Sequence, residues 1–254
     1  PPRSTLSSSS AASDVYKRQD QNMESFQLRP IGRIETPYPD KFGVPRQAGL
    51  VPSARGRLVL DPQFRREEAF RGVGECSHLW IVFLFDKVRE EDVRLSVRPP
   101  RLGGNEKIGV FGSRSPYRPN RIGISACRFH GFETGKQDEM VLMLSGVDLI
   151  DGTPVLDVKP YLPYADTIEG AWSNIAQEAP EQWPVRVARE AHEAFGALSQ
   201  ETQQLVLETL SLDARPAFHE QEDRTYFLRV YDLDVAWKIS EGECLVSSIR
   251  AVDE

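Results

Sequence analysis

The sequence is poor in the residues that build disulfide frameworks and metal centres. It has three cysteines and four histidines among 254 residues, with no CxxC spacing and no HExxH-like pair. An odd number of widely spaced cysteines argues against a disulfide framework or a zinc cluster, and it is typical of a reducing compartment. We therefore expect a cytoplasmic protein without a metal site.

Long hydrophobic runs and a nucleotide-binding glycine motif are also missing. The longest apolar run, residues 79–85, is far shorter than the roughly 18 residues of a membrane-spanning helix, and it suits a buried strand. No GxGxxG motif follows a strand pattern, and no long helix separates the first strands. These absences argue against a membrane protein and against a doubly wound parallel sheet.

Residues 1–22 differ in composition from the rest of the chain. They are rich in serine, lack the apolar core of a secretory signal, and precede Met23. We interpret them as a disordered leader or a cloning scar that takes no part in the fold. The alternative, a serine-rich transit peptide, is weaker because the stretch has no amphipathic period.

The net charge of −7 conceals an uneven distribution. Residues 94–128 contain eight basic side chains and one acidic one, whereas residues 167–254 contain seven basic and 17 acidic ones. Because binding to phosphates depends on the local field, the basic stretch is a candidate RNA-binding surface. The alternative is that some of its arginines pair internally or simply solvate loops.

Short alternating segments separated by turn residues predict a mainly β protein. Strand patterns occupy residues 26–34, 57–60, 77–88, 107–112, 122–132, 140–144 and 155–158. Their spacing is typical of a barrel or a sandwich. We expect the first domain to cover residues 26–166.

The pattern changes in the C-terminal third of the chain. Helical spacing covers residues 186–198 and 200–212, and residues 226–239 alternate in part and could pair with 245–252. These segments predict a small α+β domain over residues 172–254.

Four polar segments stand out between the strand patterns. They lie at residues 44–47 (Val-Pro-Arg-Gln), 77–80 (Ser-His-Leu-Trp), 109–120 (with the core Ser-Arg-Ser-Pro-Tyr-Arg-Pro-Asn) and 148–154 (Asp-Leu-Ile-Asp-Gly-Thr-Pro). Taken singly, each has a plain structural interpretation: Asp-Gly is a common turn pair, and a lone histidine often packs in a barrel.

Taken together and in this order, the segments closely resemble the TrmO (TsaA-like) family of tRNA methyltransferases. Residues 96–105 (Ser-Val-Arg-Pro-Pro-Arg-Leu-Gly-Gly-Asn) and 157–164 (Asp-Val-Lys-Pro-Tyr-Leu-Pro-Tyr) agree as well. The resemblance runs from Ile31 to about Asp166 and resumes thinly at residues 213–218. There, Ala214 and Phe218 depart from the Asp-Pro-Arg-Pro-Ala-Tyr pattern that is common in the family, which removes the tyrosine hydroxyl.

The resemblance implies a single-sheet β-barrel that binds S-adenosylmethionine without a Rossmann fold, usually in a homodimer with the cofactor near the interface. It implies methyl transfer to N6 of threonylcarbamoyladenosine next to the anticodon of a tRNA. It also implies a cofactor-binding set, made of Pro45, Arg46, Gln47, His78, Leu79, Arg114, Asp148, Leu149, Ile150, Asp151, Gly152 and Thr153.

The chemistry of several of these residues suits S-adenosylmethionine. The guanidinium of Arg46 or Arg114 can hold its carboxylate in a bidentate pair, and Gln47 offers both a donor and an acceptor. At Asp151 and Gly152 the main chain can approach the adenine or the ribose closely. Holding the methyl carbon and its acceptor in near-attack geometry can supply roughly 7–11 kcal/mol in well-oriented systems.

The acceptor also indicates what else is needed. A nitrogen conjugated to a carbamoyl group is a poor nucleophile until its proton leaves, so we expect a general base, for which Asp151, His78 and Tyr117 are candidates. Tyr117 could instead stack on the modified base. The expected tRNA-binding residues lie in the basic stretch and are Arg98, Arg101, Arg118, Asn120 and Arg121.

Three other classes of protein compete with this hypothesis. The first is a methyltransferase of the same fold with another RNA or small-molecule acceptor. A non-catalytic RNA-binding barrel would tolerate loss of the Pro-Arg-Gln and Asp-Gly-Thr segments, which this chain retains. A structural barrel with only protein partners leaves the arginine-rich stretch unexplained.

Overall fold

The computed structural model describes residues 26–98, 106–174, 176–213, 215 and 224–252, without the side chain of Gln137. The leader predicted over residues 1–22 lies outside the described residues, as do Arg101, Ala214 and Phe218. Within the described ranges the strands are β1 (Gly32–Glu35), β2 (Arg55–Leu60), β3 (His78–Leu84), β4 (Ser96–Val97), β5 (Ile108–Gly109), β6 (Ile122–Thr134), β7 (Met140–Ser145), β8 (Thr153–Pro160), β9 (Val185–Val187), β10 (Tyr226–Val230), β11 (Leu233–Ser240) and β12 (Glu243–Ala251).

Helices are short and lie mostly in the C-terminal part. The α-helices in the described ranges are α1 (Pro163–Asp166), α2 (His192–Gly196) and α3 (Gln200–Ser211). Short 3-10 segments occupy Pro62–Phe64, Glu67–Phe70, Val73–Glu75, Glu90–Asp92, Val110–Gly112, Lys136–Asp138 and Arg189–Ala191. The longest helix, α3, is capped by Ser199, whose side chain accepts a hydrogen bond from the amide of Thr202 at 3.1 Å.

Six antiparallel strands close into a barrel in the order β1-β2-β7-β6-β3-β8. Alternation in β3 shows why, because Leu79, Ile81 and Phe83 are buried in the barrel and the residues between them face outwards. Each fully buried aliphatic or aromatic side chain of this kind stabilises the fold by about 1.5–3 kcal/mol. The predicted single-sheet β-barrel without a Rossmann fold is confirmed.

The strand register determines which connections share one end of the barrel. Glu35 at the end of β1 pairs with Arg57 near the start of β2, and Ser145 at the end of β7 pairs with Arg55. At the same end, the start of β8 pairs with β1, and the end of β3 pairs with the start of β6. The connections 36–54, 85–121 and 146–152 therefore all emerge at this end, and they carry three of the four polar segments.

A second sheet forms the C-terminal part. β10, β11 and β12 pair in antiparallel order, and β9 joins β12 in parallel, giving the order β10-β11-β12-β9. The predicted pairing of residues 226–239 with 245–252 is confirmed for β11, whereas residues 226–230 form the separate strand β10, which pairs with β11 instead. The buried side chains of this sheet and of α3 belong to the same hydrophobic core as the barrel.

The strand predicted over residues 26–34 is wrong before Gly32, and the strand predicted over residues 77–88 is wrong after Leu84.

Two further expected elements differ from the structure. The helix predicted over residues 186–198 is wrong in its first turn, where β9 pairs with β12, and only α2 and a 3-10 turn are helical. The strand predicted over residues 107–112 is wrong after Gly109, because a 3-10 turn follows at once. In both segments the apolar spacing fits the period of a helix as well as that of a strand, and pairing with residues distant in sequence decides which structure forms.

Candidate functional site

Two connections at the same barrel end meet at Gln47 and Arg114. The guanidinium of Arg114 donates a hydrogen bond to the side-chain oxygen of Gln47. Just before Gln47, Pro45 is buried and Arg46 is exposed. The structure thus brings the guanidinium of Arg114 to the 36–54 connection, at the residue that follows Arg46.

Asp148 adds the third connection to this junction. Burial raises its pKa to about 6, and a hydrogen bond from Ser125 Oγ to Oδ1 at 2.6 Å partly offsets the shift. Bonds from backbone amides, including that of Ala48, and the charge of Arg114 act in the same direction as the serine. A carboxyl group that titrates close to neutral pH therefore lies beside the predicted cofactor-binding residues.

The turn at Asp151 and Gly152 is held by the end of β1. The amide of Asp151 donates to the carbonyl of Tyr38 at 2.8 Å, and Asp151 Oδ1 accepts from the amide of Thr36 at 2.8 Å. Gly152 has a φ of +75°, a conformation that glycine adopts without strain. One oxygen of Asp151 thus fixes the turn, although the residue as a whole is exposed.

Backbone carbonyls in the rest of the 146–152 connection accept hydrogen bonds that fix its shape. Leu149 is buried, and its carbonyl accepts from Thr36 Oγ1 at 2.9 Å. The carbonyl of Ile150 accepts from the amide of Thr153 at 3.2 Å and from its hydroxyl at 2.6 Å. These bonds give the predicted cofactor loop a defined shape.

His78 and Leu79 lie in β3 and not in the three connections. They begin β3, where His78 pairs with Arg128 of β6, and Arg128 in turn pairs with Ser145, directly before the 146–152 connection. His78 lies on the outer face of the barrel beside Tyr161, with 6.3 Å between ring centroids, and the Leu79 side chain is fully buried. In the described ranges His78 Nδ1 lies 2.9 Å from Ser77 Oγ, and His78 forms no hydrogen bond with Asp151.

Tyr117 lies in the 85–121 connection, under a cationic side chain. The guanidinium carbon of Arg94 is 5.2 Å from the centroid of the Tyr117 ring, and the amide of Arg94 donates to the Tyr117 carbonyl at 3.0 Å. This contact orients the ring within the connection that also carries Arg114.

Two of the predicted tRNA-binding arginines also shape the 85–121 connection. Arg118 donates to the carbonyl of Ser113 at 3.2 Å, and Arg121 donates to the carbonyl of Val88 at 2.6 Å. No basic residue between 94 and 128 in the described ranges forms an ion pair with a carboxylate. These described residues therefore do not support the alternative that internal ion pairs neutralise the arginines. Arg98 and Asn120 are exposed.

Sequence reasoning missed Asp86. Its Oδ1 is buried and has no hydrogen-bond partner among the described residues, while its Oδ2 lies 3.9 Å from Arg33 Nη1. The same Arg33 atom donates to the carbonyl of Gly152 at 2.6 Å, which places this carboxylate next to the cofactor loop. An acidic residue directly after the long apolar run of β3 is the signal that could have found it.

The described residues contain neither a membrane-spanning helix nor a metal cluster. None of their helices is long and apolar enough to cross a bilayer. No group of three or more histidine, cysteine, aspartate or glutamate side chains in the described ranges is arranged to hold a metal ion. All three cysteines are free.

Comparison with known proteins identifies the arrangement. The tRNA-methyltransferase O N-terminal domain matches residues 33–167, and the TrmO C-terminal domain matches residues 180–252. The chain belongs to the TrmO family.

Relatives and a solved structure agree with this family over most of the chain. A tRNA (adenine(37)-N6)-methyltransferase of Escherichia coli is 43% identical over 226 residues, covering 87% of this chain and 96% of its own. Its counterpart in Eikenella corrodens is 38% identical over 177 residues, covering 70% of this chain and 98% of its own. The crystal structure of TrmO from Pseudomonas aeruginosa matches with a TM-score of 0.73 at 36% identity, covering 90% and 99% of the two chains. The predicted family is confirmed.

Proposed function

We propose that this TrmO-family protein transfers a methyl group from S-adenosylmethionine to N6 of the adenosine next to the anticodon of a tRNA. The acceptor that the family resemblance implies is threonylcarbamoyladenosine. The observation that carries the proposal is the junction of three connections at Gln47, Arg114 and Asp148, at one end of a barrel of this family.

The residues at the junction fit the polar groups of S-adenosylmethionine. Arg46 and Arg114 offer guanidinium groups to its carboxylate, and Asp148 offers a carboxyl to its ammonium or to a ribose hydroxyl. The backbone around Gly152 gives donors and acceptors for the adenine edge. When bound, the cofactor supplies an electrophilic methyl group on its sulfonium sulfur. The role of these side chains is to orient it, so that the acceptor nitrogen meets the methyl carbon in line.

The general base is proposed among the candidates that share this barrel end. Asp151 has an exposed carboxyl at the cofactor loop, and Tyr117 lies in the connection that carries Arg114. The third candidate is His78 at the start of β3, which pairs with Arg128, the partner of Ser145 at the start of the 146–152 connection.

The proposed tRNA surface is the 85–121 connection. Arg89 pairs with Glu91 and Asp92, but from Arg94 onwards its described arginines form no ion pair with a carboxylate, and Arg98 and Asn120 are exposed. Phosphates of the anticodon stem and loop would meet these charges while the target base enters the junction. Arg101 belongs to the same proposal by sequence.

The remaining features of the proposal concern assembly and location. A homodimer is supported by the outer face of β6, where Ile124 is 53% exposed and Ile122 is 36% exposed. Light scattering should give the mass of two chains, and Ile124→Glu should give that of one, with Ile168→Glu as an exposed apolar control. A cytoplasmic location suits a tRNA substrate and three free thiols. We also propose domains at residues 26–166 and 172–254.

Cofactor binding without metal is the experiment that tests the site. Titration calorimetry of EDTA-treated protein with S-adenosylmethionine, or its demethylated product, should give micromolar affinity, and Arg114→Ala should weaken it tenfold or more. Arg186→Ala is the control. It removes an exposed ion pair with Glu243 in the C-terminal sheet, and it should bind the cofactor like the wild type. Absence of heat and of a thermal shift with both ligands would refute the cofactor site.

A further inference from the structure

The 36–54 connection is held at its start by the C-terminal part of the chain. The hydroxyl of Tyr38 lies 3.3 Å from Thr209 Oγ1 on α3, and both side chains are buried. One residue earlier, the carbonyl of Pro37 accepts from the amide of Tyr231, in the turn between β10 and β11, at 2.8 Å. Two C-terminal elements thus fix the point where the connection leaves β1.

The same helix holds the other end of the connection. Glu208 Oε2 accepts from the amide of Ser53 at 2.9 Å and from its hydroxyl at 2.6 Å, and Oε1 accepts from Gln204 at 2.9 Å. Burial alone would raise the pKa of Glu208, but the bonds from Ser53 and Gln204 outweigh it and lower the pKa below its usual value. Neighbouring residues of α3 therefore anchor both ends of one long connection.

The middle of the connection packs closely on the C-terminal sheet. Gly43 has a φ of +82°, and a Cβ atom built on it would lie 2.0 Å from Leu228 Cδ1 in β10. Leu228 is 1% exposed, so its side chain is packed in the core. Gly49 has the same φ, but a Cβ atom there would meet nothing within 4 Å.

This anchored connection carries the cofactor-binding segment. Gln47 reaches Arg114, the amide of Ala48 reaches Asp148, and the carbonyl of Tyr38 holds the amide of Asp151. A connection of this length without regular structure loses much conformational entropy when it is ordered. If it is anchored before the ligand binds, the entropic cost of ordering it no longer reduces the binding free energy.

We propose that the C-terminal domain acts as a clamp that holds the 36–54 connection in its cofactor-binding conformation, with Glu208 and Thr209 as positioning residues. The inference rests on the proposed function, because the cofactor site at Gln47 and Arg114 is itself a proposal. The clamp touches neither the cofactor nor the reacting atoms. It acts through the backbone of the connection.

Substitutions on α3 test the clamp. Glu208→Ala should weaken S-adenosylmethionine binding about tenfold by calorimetry, measured well below the melting temperature. Thr209→Val should act in the same direction with a smaller loss, and Glu208→Gln should restore part of the affinity because it keeps one acceptor for Ser53. Glu201→Ala is the matched control, since Glu201 lies on the same helix and its carboxylate pairs with exposed Arg55 of β2, at 3.5 Å. It should leave the affinity unchanged.

The two glycines give a second, independent comparison. Gly43→Ala and Gly49→Ala introduce the same backbone strain, but only the first forces the connection away from Leu228. Gly43→Ala should therefore weaken cofactor binding several-fold more than Gly49→Ala. Equal effects of the two substitutions would overturn the packing part of the clamp.

Arg114→Ala separates failure of the clamp from failure of the site. If it weakens binding while Glu208→Ala and Thr209→Val bind like the wild type, with lowered melting temperatures only, α3 is merely structural and the clamp is refuted. If Arg114→Ala also binds like the wild type, the proposed cofactor site is in the wrong place.

Discussion

Asp148 has a carboxyl group whose ionisation lowers the stability of the fold, and it lies at the site proposed for the cofactor. Its carboxyl is partly buried between two connections, and Ser125, backbone amides and Arg114 compensate only part of the desolvation, which leaves its pKa at about 6. The fold therefore favours the protonated form over the ionised one relative to the unfolded chain. The stability that this group contributes is present at low pH and is lost as the pH rises through about 6.

Removing the charge at Asp148 should consequently stabilise the protein at alkaline pH. Asp148→Asn should raise the free energy of unfolding at pH 8 by up to about 3 kcal/mol, because each unit of pKa shift corresponds to about 1.4 kcal/mol. At pH 4 the gain should fall below about 1 kcal/mol, since the carboxyl is then protonated in the fold. Denaturant unfolding at the two pH values checks this.

Cofactor affinity supplies the functional half of the same test. Asp148→Asn should weaken S-adenosylmethionine binding at pH 8 by tenfold or more if the carboxylate contacts the ligand. A variant that is no more stable than the wild type at pH 8, relative to pH 4, would contradict the assignment of a buried, costly charge.

At the scale of elements, the proposed function depends on three connections and on their shared position at one end of the barrel. The register of the barrel brings the 36–54, 85–121 and 146–152 connections to one end, where Gln47, Arg114 and Asp148 join them. From Arg94 onwards the 85–121 connection adds a cationic surface, where Arg118 and Arg121 bond to loop carbonyls and no described arginine pairs with a carboxylate. Under the proposed function, the same element binds the cofactor through Arg114 and RNA through its neighbours.

Salt dependence distinguishes phosphate binding from a structural role of these arginines. Replacing Arg98, Arg101 and Arg118 together with alanine should weaken tRNA binding and make its dependence on salt shallower, by about one unit of logarithmic slope per lost phosphate contact. Cofactor affinity should stay within twofold of the wild type. Arg66→Ala is the control, because Arg66 lies outside this connection and forms an exposed ion pair with Glu68. An unchanged slope in the triple variant would assign these arginines to loop structure instead.

Sequence patterns predicted those elements whose apolar spacing has a single interpretation. The apolar run of β3 and the helical spacing of α3 are examples; α3 ends one residue before its expected bound, and β3 ends four residues before it. The spacing of residues 185–187 fits a helix or a strand equally well, and only pairing with β12 decides it. Local patterns cannot reveal a partner that is distant in sequence.

The candidate site was predictable in part for the same reason. Motif resemblance indicated Gln47, Arg114 and Asp148, and the structure brings them together. It also indicated His78, which lies in β3 and not in the three connections. The contact between Tyr38 and Thr209 spans 171 positions and involves no motif, so nothing in the sequence pointed to it.

At the scale of the whole molecule, the barrel and the C-terminal sheet share one hydrophobic core and one family identity. The central claim is that this molecule methylates an adenosine beside the anticodon. Liquid chromatography with mass spectrometry of nucleosides tests it most directly, on tRNA carrying threonylcarbamoyladenosine, incubated with purified protein and S-adenosylmethionine.

The account predicts a new nucleoside, heavier than threonylcarbamoyladenosine by one methyl group at N6, that is absent when the cofactor is omitted and strongly reduced with Arg114→Ala protein. Transcripts without the threonylcarbamoyl group should give far less product. If the wild-type protein binds the cofactor and the tRNA, yet the nucleosides before and after incubation are identical, the claim is contradicted.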